Sequence, residues 1–223
     1  MKIAIIGYGK MGHEIASIAV EKGHTVACTI DNDTEMLANI DLLKSSDVAI
    51  EFTTPATAVT NIKQCLQIGV PVVCGTTGWY DSYDDVCALC REKGGALFTA
   101  TNFSIGMNIV FDLNRRLAAL MDKYPQYKAS IVETHHIHKL DAPSGTAITL
   151  REQTGHPEIE ITSIREGEVP GTHVVRYDSA VDTIMLTHEA HSRRGLAEGA
   201  VLAAEFLKGK TGIFTMTDLL VRS

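Results

Sequence analysis

The chain has 223 residues, 45% of them hydrophobic, enough to bury one large core or two small ones, and a soluble globular protein is expected. Its formal net charge of −7, with the basic residues dispersed, argues against nucleic acid, because phosphate binding wants a concentrated positive face. No apolar run approaches the ~20 residues of a membrane span and the first apolar stretch meets Gly7 too early for a signal-peptide core, so no membrane partner and a cytoplasmic location are expected.

Residues 2–6 read as a short apolar strand, followed at once by Gly7, Tyr8, Gly9, Lys10, Met11 and Gly12 and then a helical pattern ending near Lys22 and Gly23. A second strand over 24–30 ends at Asp31, about 20 residues after the glycines. A dinucleotide fold uses that spacing to place an acid on the adenosine ribose hydroxyls. Gly7 permits the tight turn, Gly9 lets the backbone approach a pyrophosphate, and Gly12 lets the helix close on the sheet. A glycine turn alone is weak evidence; strand, helix, strand and acid in register point to a nucleotide site.

The alternation continues with strands over 48–52, 70–74 and 96–100 and helices over 57–66 and 81–93, which predicts a Rossmann-type, doubly wound parallel sheet. Loops leaving the carboxyl ends of such strands line the ligand crevice. Here they are Phe52 to Pro55, then Gly75, Thr76, Thr77 and Gly78, then Thr101, Asn102, Phe103 and Ser104. The five cysteines, Cys28, Cys65, Cys74, Cys87 and Cys90, are odd in number and make no disulfide framework. Cys87 and Cys90 form a CxxC inside a helical pattern, with no second pair to complete a zinc site, so buried, reduced thiols are expected.

After Phe103 the pattern changes. Residues 107–121 read as a helix and 127–134 as a strand, while 159–165, 173–177 and 182–190 alternate like half-buried strands of a mixed, mostly antiparallel sheet. This predicts a second, α+β, substrate-binding domain over 105–193, after a dinucleotide-binding domain over 1–104. A helical pattern over 194–208 then opens the C-terminal segment, 194–223.

Between those strands, Glu133 to Ala147 reads ETHHIHKLDAPSGTA. His135, His136 and His138 are expected to titrate near neutral pH, and Lys139, beside three potential cations, to be a destabilised ammonium and so a better proton donor. Ser144, Gly145 and Thr146 form a small-residue turn opening a helix, whose free N–H groups would face a carboxylate or phosphate. The bland alternatives are a zinc site, for which no cysteine lies nearby, and a solvated basic loop, which the turn that follows counts against. No metal is expected.

This segment closely resembles the signature of the dihydrodipicolinate reductase family. The resemblance extends to GTTG at Gly75 to Gly78, ATNFSIG at Ala100 to Gly106 and LTHEAHSR at Leu186 to Arg193, in the family's order, and covers essentially the whole chain. It implies reduction of a small cyclic imine dicarboxylate by NADH or NADPH in the diaminopimelate route to lysine. It implies His135 as general acid/base, Lys139 as the second proton donor, and His136, Gly145 and Thr146 as substrate contacts. Gly75, Thr76, Thr77, Ala100, Thr101, Asn102 and Phe103 would meet the nicotinamide half of the cofactor, and the Gly7 to Gly12 loop with Asp31 the rest. For His138, His188 and His191 a structural or supporting role is expected, and Arg193 would meet a carboxylate. The C-terminal tail would return to the nucleotide domain, and a homotetramer is implied.

The chain departs from the family in two places: its glycine loop is one residue shorter, and only residues 148–157 separate the SGTA turn from the next strand. Because Asp31 would repel a 2′-phosphate, with no arginine at Asn32 or Asp33 to offset it, NADH should serve at least as well as NADPH. Two rival readings share part of these features. A relative of aspartate or homoserine dehydrogenase would share the glycine loop but has no reason to carry HHIHK before DAPSGTA, and a non-catalytic NADH sensor would need no proton donors.

Overall fold

Apolar runs without alternation mark strands covered on both faces, and the first half of the chain is built from them. In the computed structural model, which describes residues 1–221, β1 (Lys2–Ile6) is buried from Ile3 onward and leads through the glycine loop into α1 (Lys10–Glu21) and β2 (Thr25–Ile30). Two short helices follow, α2 (Asp33–Ala38) and α3 (Ile40–Lys44), before β3 (Val48–Glu51). Then come α4 (Pro55–Gln67), β4 (Val72–Cys74), a 3-10 turn at Tyr80–Ser82, α5 (Tyr83–Glu92) and β5 (Ala96–Thr99), the three strands β3 to β5 buried at every position.

The short helices α2 and α3 add to the elements the sequence pattern predicts, although Asn32 with Glu35 is a legible start signal. The Asn32 side chain accepts the Glu35 N–H at 3.0 Å and its amide donates back to the Glu35 carboxylate at 2.9 Å.

The second half of the chain supplies α6 (Ile105–Met121), β6 (Lys128–His135), α7 (Gly145–Glu152), β7 (Ile161–Arg165), β8 (Thr172–Asp178) and β9 (Thr183–Glu189). The chain ends through α8 (Arg194–Leu207), β10 (Gly212–Phe214) and α9 (Met216–Val221).

One unit comprises Met1–Ser104 and the chain from Leu196 onward; the other is Ile105–Gly195. The first holds a six-stranded, all-parallel sheet in the order β10-β5-β4-β3-β1-β2. The order turns back at β1, which has β3 on one side and β2 on the other, so the loops after β1 and β3 open the crevice where such sheets bind ligands. All five cysteines are free and buried within this unit.

The second unit holds a four-stranded sheet in the order β7-β6-β8-β9, with β6 parallel to β7 and the other pairs antiparallel. Ile131, Val175 and Tyr177 pack with Met107 and Phe111 of α6 and Ala147 and Leu150 of α7 as its core. Strand β6 runs one residue further than the sequence suggests, so His135 is a strand residue rather than part of the following loop. Among the described residues no helix is long and apolar enough to cross a membrane.

Candidate functional site

In the first unit the glycine loop is shaped by contacts that only glycine permits. Gly7 has φ +92°, and a Cβ there would lie 2.0 Å from the Phe52 carbonyl oxygen, so the loops after β1 and β3 touch backbone to backbone. A Cβ on Gly12 would meet the Gly7 carbonyl at 2.2 Å; the close approach is of α1 to its own turn, where the sequence suggested helix on sheet. A Cβ on Gly9 would meet nothing within 4 Å, which leaves open space above the start of α1. Such a loop suits a pyrophosphate, which needs backbone N–H groups and room.

Asp31 is exposed at the end of β2, where its Oδ1 accepts the Tyr8 N–H at 2.9 Å, tying the acid to the glycine loop. Lys10 is exposed, while Met11 is half-buried.

Under the neighbouring loops lies a network the sequence did not reveal. Glu51, fully buried, accepts the Thr53 N–H at 3.1 Å, the Thr53 hydroxyl, and the Cys74 thiol at 3.0 Å. Thr76 Oγ1 accepts the same Thr53 N–H at 2.7 Å, and the Thr76 carbonyl accepts Trp79 Nε1 at 2.8 Å. Thr76 and Phe103 are therefore interior side chains. Phe103 packs between Phe52 and Phe98, and its carbonyl lies where a Cβ on Gly199 would be. Thr77 and Thr101 are exposed, and Gly75, Ala100 and Asn102 half-buried.

In the second unit, the period of two along β6 puts Ile131, Glu133 and His135 on one face, and along β8 puts His173, Val175 and Tyr177 on the same face. The register pairs Ile131 with Val175 and Glu133 with His173. The face is thus apolar over the core and turns polar toward the end of β6.

Glu133 is fully buried there. Its two oxygens lie 3.0 and 3.1 Å from Ser144 N–H, and Oε1 takes Arg165 Nη2 at 3.1 Å. Burial alone would raise its pKa; the hydrogen bonds from Ser144, Ser163 and Arg165 win and hold it down to about 2.

His135 Nδ1 comes to 3.5 Å from Glu133 Oε2 without completing a hydrogen bond, and the ring stands edge-on to His173 at 5.0 Å. Burial pushes His135 below the ordinary histidine range, opposed by Glu133 and aided by Lys139 and Arg165. The expectation of a histidine titrating near neutral pH is corrected at this position. His136 is half-buried with an unpaired Nδ1, and His138 is exposed beside Glu168 at 3.2 Å.

The environment foreseen for Lys139 is also corrected. Its ammonium is paired with Asp141 at 2.8 Å instead of standing among bare cations.

Helix α7 opens as the SGT turn suggested: Ser144 Oγ accepts the Ala147 N–H at 3.2 Å, and a Cβ on Gly145 would meet nothing within 4 Å. The Ala142–Pro143 peptide leading into it is cis. His173, for which the sequence pattern suggests only a strand position, has its Nε2 3.2 Å from Ser144 Oγ, and burial first, then His135, push it down to about 4. Its cross-strand neighbour His188 is also lowered by burial, whereas His191 and Arg193 are exposed.

Glu133, His135 and His173 bring one donor atom each within 4.8 Å of one another. They suit a divalent cation poorly, because Glu133 already serves the Ser144 N–H and the Arg165 guanidinium, whose charge would oppose a metal.

Comparison with known proteins identifies the family. Residues 1–103 match the family model for the N-terminus of dihydrodipicolinate reductase, and residues 106–220 match the model for its C-terminus. A 4-hydroxy-tetrahydrodipicolinate reductase of Christiangramia forsetii is 45% identical over 236 aligned residues, covering 99% of this chain and 98% of its own. One from Neisseria meningitidis is 33% identical over 202, covering 80% and 74%.

Among solved structures, a dipicolinate-bound dihydrodipicolinate reductase from Paenisporosarcina sp. shares the fold with a TM-score of 0.75 at 22% identity, covering 96% of this chain and 97% of that one. An aspartate dehydrogenase from Thermotoga maritima reaches a TM-score of 0.54 at 13% identity, covering 94% and 97%.

Proposed function

The chain belongs to the dihydrodipicolinate reductase family, so its activity is the nicotinamide-dependent reduction of dihydrodipicolinate, from 4-hydroxy-tetrahydrodipicolinate, to tetrahydrodipicolinate in lysine biosynthesis, and we propose which of its residues carry that reaction. The observation that carries the assignment is one short segment of the second unit. It places His135, Lys139 and the open first turn of α7 at Gly145 within eleven residues.

When bound, the nicotinamide supplies a hydride equivalent to the conjugated imine. The protein must then deliver a proton to the electron-rich product and hold two carboxylates. Lys139, as an ammonium, is the proton donor and stabilises the developing negative charge. His135 is kept neutral by burial in the free protein. A dianionic substrate beside it raises its proton affinity, so it takes up and hands on a proton only when substrate is present. Gly145 and Thr146, with the N–H groups of the first turn of α7, hold one carboxylate, and His136 contacts the ring or the other.

In the first unit, Gly7, Tyr8, Gly9, Lys10, Met11 and Gly12 cradle the dinucleotide phosphates. Asp31 takes the ribose hydroxyls with the oxygen that Tyr8 leaves free. Gly75, Thr76, Thr77, Ala100, Thr101, Asn102 and Phe103 form the nicotinamide end. Thr76 and Phe103 contribute backbone there, because their side chains face inward.

NADH serves at least as well as NADPH, since Asp33 and Glu35 add to the negative charge near Asp31 and Lys10 is the one loop cation to oppose it. A kcat/KM for NADPH more than tenfold above NADH would overturn this reading of Asp31. A spectrophotometric assay of cofactor oxidation, with and without the dihydrodipicolinate precursor, tests the function itself; oxidation independent of the precursor would end it.

The family's tetramer is proposed for this chain as well. The edge strand β9 supports it, with Met185 61% exposed. A single-chain mass in light scattering would refute it. A cytoplasmic location is proposed on the five free thiols, which suit a reducing compartment.

A further inference from the structure

A carboxylate at zero exposure in the centre of a sheet calls for an explanation, because an apolar pair of similar volume would often stabilise the same position as well as an ion pair does. The partners of Glu133 supply one. Ser144, whose N–H it accepts, is the residue that caps α7. Arg165, paired with it at 3.1 Å, reaches from the end of β7 to donate also to the carbonyls of Lys139 at 3.3 Å and Asp141 at 2.5 Å. His135 lies two residues along the same strand face, its Nδ1 3.5 Å away. One ion pair, buried on its carboxylate side, therefore touches both ends of the signature segment and the histidine at its start.

We propose that Glu133 and Arg165 are positioning residues for the reductase reaction, an internal anchor that fixes the Lys139–Asp141 loop and the first turn of α7 relative to His135. The proposal rests on the roles assigned above to His135, Lys139 and Gly145. Neither Glu133 nor Arg165 needs to touch substrate to act this way.

Electrostatics gives the pair a signature that loss of fold would not reproduce. His135 is faced by Glu133 on its own strand, by Arg165 from β7, by His173 from β8 with His188 behind it on β9, and by Lys139 and Asp141 from the loop. Burial lowers its proton affinity most; the Glu133 charge raises it, and Lys139 and Arg165 lower it further. Removing Glu133 or Arg165 should displace the titration of His135 in opposite directions.

The test is steady-state kinetics across the neutral pH range on Glu133→Gln and Arg165→Met, with binding of the nicotinamide cofactor measured alongside. Both variants should lose on the order of 10²-fold in kcat, the scale of a small misplacement of reacting groups, with cofactor binding unchanged. The limb of the pH–rate profile that belongs to His135 should move to lower pH in Glu133→Gln and to higher pH in Arg165→Met.

Near-parental turnover in both, or limbs that stay still or move together, overturns the proposal. If Glu133→Gln does not fold, Arg165→Met decides alone, since it lies on an edge strand with its side chain 20% exposed: an upward limb shift supports the proposal and an unmoved limb sinks it. His135→Gln separates the two levels. Activity retained there overturns the catalytic assignment and this inference together; activity lost there but kept in the other two variants overturns only the inference.

Discussion

Lys139 holds its ammonium against Asp141, while His135, two residues past a fully charged Glu133, is buried and unpaired at Nδ1. The two proposed proton groups thus differ in setting. The lysine is tethered by an ion pair; the histidine is buried, with its proton affinity lowered. Replacing Lys139 by Ala and His135 by Gln should each lower kcat by on the order of 10² to 10⁴, leaving cofactor affinity near its parental value. Turnover close to normal in either variant, measured beside intact cofactor binding, reassigns that residue to structure and passes the acid role to His136.

The histidines, the lysine and the SGT turn were legible because they are neighbours in the chain. Glu133, Arg165 and His173 were not read as site residues, because what joins them is strand register, Glu133 opposite His173 on β8 and Ser163 on β7. The one available signal was the alternation of Ile131, Glu133 and His135, which puts a carboxylate on a buried face.

Among the elements, the strand–turn–helix at the start of the chain was readable because sterics leave little choice. Gly7 and Gly12 each sit where a Cβ would strike backbone. Helices α2 and α3 escaped because six and five residues are too few to show a helical period. Helix α7 has the opposite character to the glycine loop, since its Gly145 faces open space. A Cβ there would meet nothing within 4 Å; what a side chain would fill is the approach to the first-turn N–H groups.

Gly145→Val should therefore fold normally and bind NADH normally, yet lose affinity for a planar 2,6-pyridinedicarboxylate that mimics the substrate. Calorimetry with that ligand in the presence of NADH checks it. Unchanged affinity would place the anion cradle elsewhere than on α7.

At the scale of the whole molecule, the two units are held by different chemistry and should respond differently to acid. The first is a parallel sheet, largely apolar apart from Glu51 and Thr99, with Trp79, the chain's single tryptophan, buried against it. Its acids Asp47 and Glu205 are held below their ordinary values, so their contribution is lost only when pH falls through the carboxylate range.

The second unit holds His135 and His173 buried and His188 half-buried, all with lowered proton affinity. For His173 the folded value is about 4 against an ordinary 6.5, so below pH 6.5 the unfolded chain takes up a proton that the folded one refuses. Stability then falls with pH until about 4, by roughly 3 kcal/mol for a shift of that size. Glu133 acts with the same sign lower down, from about 4.5 to about 2, as its hydrogen bonds are lost on protonation.

The second unit should thus unfold first on acidification. Far-ultraviolet circular dichroism, which sees both units, should begin to change at a higher pH than Trp79 fluorescence, which reports the first alone. His173→Gln, which has no proton to refuse, should bring the two transitions closer together. Coincident transitions in the parent protein would show that the buried histidines do not set its acid stability.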